Sequence, residues 1–493
     1  VEAFSQNRFE LALKYFEQAI TIKNDFAILW YNLGLTRLKL NQLQEAFFCI
    51  NRCLELDPEY KPAIDLRNAV SAGLSEQSKE LNEKKEPEAD GERLITALQL
   101  HSQGRTHEAE KIFLEILRSD PDDYASLFSM GLIENLRQNH EKALRYFEAC
   151  QAIKPDVAAV WYNSGIMQQT LKRHEQALTS YNRALELKPD YLEVMLNKGA
   201  LLVEMQRSKD ALLTYEDMLK VAPENEKALY NRGIILTHLN LNDNAIQTFE
   251  KLLEVAPESD YAAGLLCFAK MHACDWKNLE PLKKTITEGV KAGRRVCKTL
   301  AFTAISDSPQ DNLTCAQTFT RHLFPTGIPV WQGKIYNHAK IRVAYMSPDF
   351  REHPVGYLTA GLFEAHDKTR FELYGISLGS NKPSTLRSRI QNTFDRFIDA
   401  SCLSCDEVTD FLSSNEVDIL VDLAGHTADA RTEILARRPT PIQINYLGYS
   451  STMGADYIDY IIADPHVIPE AHRDFYAEKV VHLPNSYMPS DDK

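Results

Sequence analysis

His353 is the residue of this 493-residue chain whose type and setting most readily do chemistry. It closes the run Ser347-Pro-Asp349-Phe-Arg351-Glu352-His353 and stands directly before Pro354. An imidazole with an ordinary pKa of about 6.5 can exchange a proton near neutrality or orient a ligand by hydrogen bonds. Two further polar stretches follow. One is Asp422-Leu-Ala-Gly425-His426-Thr427, with Arg431 beyond it. The other is Leu447-Gly-Tyr449-Ser450-Ser451-Thr452-Met-Gly454, small and polar enough for backbone to approach a ligand. Each has a plainer reading: a His before Pro can cap a helix, Asp349 and Asp422 can fix turns, and Tyr449 can be core.

The elements that would position these residues alternate between β-branched runs and amphipathic stretches, the pattern of a parallel sheet with crossover helices. Strands are expected at 341–346, 371–378, 417–423, 441–447 and 458–463, and helices near 354–366, 383–395, 405–415 and 429–437. The polar loops then leave the C-terminal ends of strands, where open α/β sheets place their ligands.

Upstream, proline recurs every 34 residues at Pro121, Pro155, Pro189, Pro223 and Pro257. Alanines (Ala109, Ala143, Ala177, Ala211, Ala245), aromatics (Phe113, Phe147, Tyr181, Tyr215, Phe249) and glycines (Gly131, Gly165, Gly199, Gly233) keep the same phase. This resembles the tetratricopeptide pattern, a helix–turn–helix unit in which small residues permit close helix approach and proline ends the second helix. Earlier copies surround Trp30, Gly34, Ala46 and Pro58, and Ala12 and Phe16, with Asn24 in the proline slot of the latter. The expected organisation is repeats over 1–74, a charged linker over 75–92, a five-repeat solenoid over 93–260, a helical connector over 261–338 and a sheet domain over 339–493. Asn32, Asn163, Asn197 and Asn231 occupy one equivalent site, and such an amide ladder can grip the backbone of a peptide in the concave groove. Self-association through the repeats is compatible with such an array.

Net charge is −14 and no basic block occurs, which argues against nucleic acid and anionic membrane as partners. No run reaches the ~18 apolar residues of a membrane span. Nine cysteines, mostly inside helical patterns, suit a reducing compartment such as the cytoplasm. Cys402 and Cys405 form a lone pair without the second pair of a zinc site, so no metal is expected.

Beyond residue 340 the motifs S-P-D-F-x-x-H-P, G-H-T, R-R-P-x-P-I-Q-x-x-Y-L-G-Y and D-Y-I-I-A-D, following C-D-W at 274–276, resemble the protein O-GlcNAc transferase family and its Spindly-type O-fucosyltransferase relatives. The resemblance implies an α-solenoid followed by the N-terminal Rossmann-like lobe of a GT-B glycosyltransferase. It implies inverting transfer of a sugar, GlcNAc from UDP-GlcNAc or fucose from GDP-fucose, to Ser or Thr of proteins recruited by the repeats. No cofactor beyond that nucleotide-sugar is expected. On the resemblance, His353 lies at the donor–acceptor junction and His426 shares the catalytic role. Asp349, Pro354, Gly425, Thr427, Tyr449, Thr452 and Gly454 line the substrate. Relatives read Pro-Gly where this chain has Ser450-Ser451, and losing that glycine is expected to disturb a left-handed turn. The chain reads as lacking the donor-binding C-lobe and is expected to be inactive alone. The competing reading is a non-catalytic scaffold with a degenerate lobe.

Overall fold

The computed structural model describes residues 9–22, 26–40, 42–58, 60–67, 70 and 88–491. It divides into two compact units, 1–228 and 229–493.

The first unit is a stack of antiparallel helix pairs. Tyr124–Leu136 pairs with His140–Ile153, Ala158–Thr170 with His174–Leu187, and Leu192–Glu204 with Ser208–Val221. The phased residues explain the pairing. A Cβ on Gly165 would lie 2.4 Å from the ring of Tyr181, and one on Gly131 would lie 2.6 Å from Phe147. The aromatic of one helix therefore fills the space that the missing side chain of the other leaves. Ala143, Ala177 and Ala211 are completely buried in the same seams. Each proline falls just past the second helix, as at Pro155 after Ile153. One regularity was not anticipated. Gly104, Gln138, Lys172 and Gln206 share the turn between the two helices and all have positive φ, and Asn240 continues the series in the second unit. Only the first is glycine. The later repeats accept a bulkier residue in the left-handed region because the helices on both sides fix the turn. We expect Gly165→Ala to lower the stability of the array by about 2 kcal/mol, since the Tyr181 ring has no free space to enter. Thermal denaturation by circular dichroism measures it.

Among the earlier copies, helices Ala27–Lys39 and Leu43–Leu56 pack with Gly34 against Ile50 in place of an aromatic. The expected linker lies outside the described residues as far as Pro87, as does Asn24. From Glu88 the chain is already helical (Glu88–Ser102), so the last part of the stretch read as linker belongs to the first helix of the next pair.

The second unit begins within the helix Glu226–His238 and holds the last repeat, four connecting helices and the sheet domain. The connector consists of four helices (Ala262–His272, Leu279–Lys291, Thr299–Thr303, Pro309–Leu323) around a small core of Cys267, Ile286, Val290 and Phe302, and its first helix packs on the last repeat helix, Asn242–Val255. Its last helix lies against the loop at Gly454, where a Cβ would meet the Ala316 backbone at 2.4 Å. Gly327, Val330 and Trp331 then donate backbone hydrogen bonds to the carbonyls of Ala436, Arg437 and Arg438, strapping the following segment to the domain.

The sheet has seven parallel strands in the order β3-β2-β1-β4-β5-β6-β7. These are β1 Ile341–Ser347, β2 Phe371–Ser377, β3 Arg396–Asp399, β4 Ile419–Asp422, β5 Ile442–Tyr446, β6 Tyr460–Ala463 and β7 Lys479–His482. The five expected strands are present. β3 and β7 were not foreseen, because each is a four-residue edge strand with no fully buried position and too little apolar pattern to read. The helix expected near 429–437 shrinks to Thr432–Ala436, bounded by Asp429 and Arg438 at positive φ. Two apolar layers cover the sheet faces, one around Met346, Tyr374 and Leu420, the other around Tyr345, Phe363 and Val421.

Candidate active site

β1 pairs with β2 on one side and β4 on the other, so the strand order reverses between β1 and β4. A sheet of this order opens a crevice at the carboxyl ends of those strands. The loop after β1 carries Asp349 to His353, the loop after β4 carries Gly425 to Thr427, and β5, next to β4, leads into the 447–454 loop. Residues scattered over a hundred positions thus come to one edge because the sheet interleaves their strands.

His353 sits at the N-cap of helix Pro354–Glu364. Its Nδ1 accepts from the Val355 N–H at 3.3 Å and lies 3.6 Å from Asp349 Oδ2, while 38% of the side chain stays exposed. With Nδ1 occupied as an acceptor, the neutral ring carries its proton on Nε2. The capping reading and a position at the crevice are therefore both realised in one residue. Asp349 is buried and accepts two bonds from Arg351, at 3.1 and 2.9 Å. Pro354, exposed, is the first helical residue, where its missing N–H costs nothing.

His426 has a different setting. Its ring is flanked by Phe319, Phe324 and Tyr449, with centroids 5.0, 6.2 and 5.4 Å away. Nε2 donates to the Met453 carbonyl at 3.0 Å, and Thr320 Oγ1 donates to the same carbonyl at 2.7 Å. Desolvation lowers the His426 pKa to about 4, so the ring is neutral at pH 7. It ties the connector to the 447–454 loop, and Nδ1 is left as a buried acceptor with no partner among the described residues. His426 is thus held as a neutral hydrogen-bonding residue.

The β4 loop is set by Asp422, whose carboxylate accepts from Ala424 and Gly425 N–H at 3.2 and 2.8 Å. Gly425 takes φ +58, and a Cβ there would lie 2.4 Å from Tyr449. Thr427 Oγ1 donates to Ala424 O at 2.8 Å, closing the turn.

Three of the expected substrate-lining residues are turned inward. Tyr449 is buried against Gly425 and His426. Thr452 is buried and its hydroxyl is spent: it donates to Glu478 Oε2 at 2.7 Å and accepts from Gly454 and Ala477 N–H. Gly454 backs onto Ala316. These contacts hold the loop in place. Neither Ser450 nor Ser451 has positive φ; the left-handed residues of this loop are Leu447, at φ +69, and Gly454, at φ +64. The loss of Pro-Gly therefore does not strain the turn in the way expected.

Sequence reasoning missed Glu478, whose buried carboxylate also accepts from Met453 N–H at 2.6 Å, and Asn445, which donates to the carbonyls of Tyr449 and Ser451. It missed Arg387 as well, a buried guanidinium that donates to Phe350 O and Ser377 Oγ beneath the β1 loop. Nothing in their local patterns distinguishes them from surface polar residues. Among the described residues, no group of three or more His, Cys, Asp or Glu side chains could hold a metal ion.

Of the asparagines, Asn163 Nδ2 donates to Ala159 O of its own helix at 2.7 Å and Asn197 Nδ2 to the Tyr162 hydroxyl at 3.1 Å. Asn32 and Asn231 are partly exposed.

Fold and site together define a tetratricopeptide α-solenoid joined to a doubly wound parallel sheet with a polar crevice at its switch point. Residues 324–493 match glycosyl transferase family 41, and tetratricopeptide profiles match 2–26, 27–60, 97–158, 158–191 and 196–262. The chain thus combines tetratricopeptide repeats with a family 41 glycosyl transferase domain. A probable UDP-N-acetylglucosamine–peptide N-acetylglucosaminyltransferase SEC of Arabidopsis thaliana is 37% identical over 169 residues, 34% of this chain and 17% of the relative. The corresponding Caenorhabditis elegans transferase is 34% identical over 158 residues, 32% of this chain and 14% of the relative. The chain therefore aligns with a small part of these relatives' length. A solved Thermobaculum terrenum O-GlcNAc transferase mutant aligns at TM-score 0.40 and 22% identity, over 75% of this chain and 59% of that one. Among the described residues, no helix is long and apolar enough to cross a membrane.

Proposed function

We propose that this chain is the acceptor-recruiting and acceptor-side portion of a protein O-glycosyltransferase, moving GlcNAc from UDP-GlcNAc to Ser or Thr hydroxyls. The observation that carries this reading is that the β1 and β4 loops leave neighbouring strands at the switch point of a domain matching family 41, with the His353 side chain partly exposed there. In the reaction the acceptor oxygen bonds to the anomeric carbon, the bond to the diphosphate breaks, and the hydroxyl proton must leave. His353 as found offers an Nε2–H donor that orients an oxygen. The other tautomer, with Nδ1–H turned to Asp349, would offer an acceptor for that proton. The repeats supply a groove for the polypeptide acceptor. The nine free thiols support placement in a reducing compartment such as the cytoplasm.

The test is to incubate the complete natural polypeptide containing this chain with UDP-GlcNAc or GDP-fucose and a protein acceptor, and to map the product by mass spectrometry. Transfer from UDP-GlcNAc to Ser or Thr is expected. Transfer from GDP-fucose alone would reassign the donor, and no transfer from either would reduce the chain to a scaffold.

A further inference from the structure

Away from the switch point the second unit has another concavity, a cleft of about 870 Å³ where the last repeat ends against the helices that follow. At its edge Tyr261 holds φ +64, a strained conformation for a bulky residue. The surroundings enforce it. The Tyr261 N–H donates to Arg295 O at 2.6 Å, its buried ring packs edge-on to Phe319 at 5.8 Å, and its hydroxyl meets His322 Nδ1 at 2.8 Å. Burial raises the tyrosine's pKa, so the hydroxyl stays protonated and is able to donate in that bond. In the tautomer where the hydroxyl donates, His322 Nδ1 accepts and Nε2–H is left to donate from an exposed ring.

The charges around this imidazole are unequal. Arg294 faces Glu258 at 3.5 Å and Arg295 faces Asp260 at 3.0 Å, while Arg321 makes no ion pair among the described residues. Three guanidiniums and two carboxylates therefore line the cleft. Exposed pairs of this kind contribute little and exchange readily for a ligand's oxyanion. We propose that the cleft binds an oxyanion side chain of an extended polypeptide, held between Arg321 and His322. The space far exceeds a lone phosphate, and Ala263 and Val296 give it apolar wall for neighbouring side chains. A densely charged polyanion such as nucleic acid is disfavoured by the chain's net charge of −14, so a polypeptide with one or two anions fits better. The oxyanion is a carboxylate of Asp or Glu or the phosphate of a phosphorylated residue. This inference does not rest on sugar transfer, and no donor is needed to test it.

Fluorescence anisotropy at low salt, with the 493-residue chain and peptides of one length carrying a neutral, a glutamate or a phosphoserine centre, reads the binding directly. The two anionic peptides should bind and the neutral one should not. Arg321→Glu, at an exposed position, should weaken binding about ten- to a hundredfold, the loss of a charge-assisted hydrogen bond. Tyr261→Phe keeps the ring but releases His322 and should weaken binding several-fold. Tighter binding of the phosphoserine peptide identifies phosphorylated partners, and parity identifies acidic ones. No binding by either anionic peptide, equal binding of the neutral peptide, or unchanged affinity in Arg321→Glu overturns the proposal.

Discussion

Replacing His353 with alanine in the complete polypeptide should lower the rate of sugar transfer about 10²- to 10⁴-fold, the usual worth of a group that handles or orients a proton in the transition state. The difficulty is that His353 also caps a helix through Val355 N–H, so a structural loss could imitate a chemical one. Losing such a cap costs on the order of 1 kcal/mol. His353→Asn separates the two roles. Asparagine is a strong N-cap and restores the bond to Val355, but it has no ring nitrogen where Nε2 stands. The asparagine variant should melt like the parent and yet be as inactive as the alanine variant, with the loss in kcat rather than KM. Near-normal activity in His353→Asn would make His353 a cap and remove it from the chemistry. A parallel Asp349→Asn substitution should cost less, because Asp349 already answers two bonds from Arg351 and acts on His353 only across 3.6 Å.

What could be read from the sequence follows from how local each signal is. The repeats were legible because the contact that makes them, Gly165 against Tyr181 for example, recurs at fixed spacing and leaves the same residue types each time. The central strands were legible because β1 and β2 are long apolar runs buried at their C-terminal ends. β3 and β7 pair only at an edge, and their four residues carry no distinguishing pattern. The site divides in the same way. His353 was identifiable from its motif and its place before Pro354. The inward turn of Thr452 and Gly454 was not, because it depends on Glu478 and on Ala316, each distant in sequence. A carboxylate in Glu-Lys-Val-Val-His reads as surface charge until the fold buries it. The same holds for His426. The motif marked it as chemically able, while the aromatics that strip it of water come from the connector helix and the segment just after it.

Asp422 is where burial should be most visible in solution. Its carboxyl lies at the buried end of β4 and receives only two backbone N–H groups, and desolvation outweighs them to raise its pKa to about 6. An unfolded aspartate loses its proton near pH 4. Below that pH both states are protonated and the fold keeps its full advantage from this group. As the pH rises to 6 the unfolded state gains ionisation that the folded state is denied, so stability falls, by about 3 kcal/mol over the interval. Glu478, raised in the same direction by burial, steepens the slope. Asp422→Asn does not titrate, and its amide oxygen still accepts from Gly425 or Ala424. It should therefore be less stable than the parent at pH 4, where one backbone N–H has lost its acceptor. Towards pH 7 the comparison should swing about 3 kcal/mol in the variant's favour. Denaturant-dependent hydrogen exchange of peptides spanning β4 and β5 reads this swing within the sheet domain. A parallel pH course for the two proteins would mean that Asp422 ionises in the fold as readily as in the unfolded chain, and that the Gly425–Thr427 turn is held by a full charge already between pH 4 and 6.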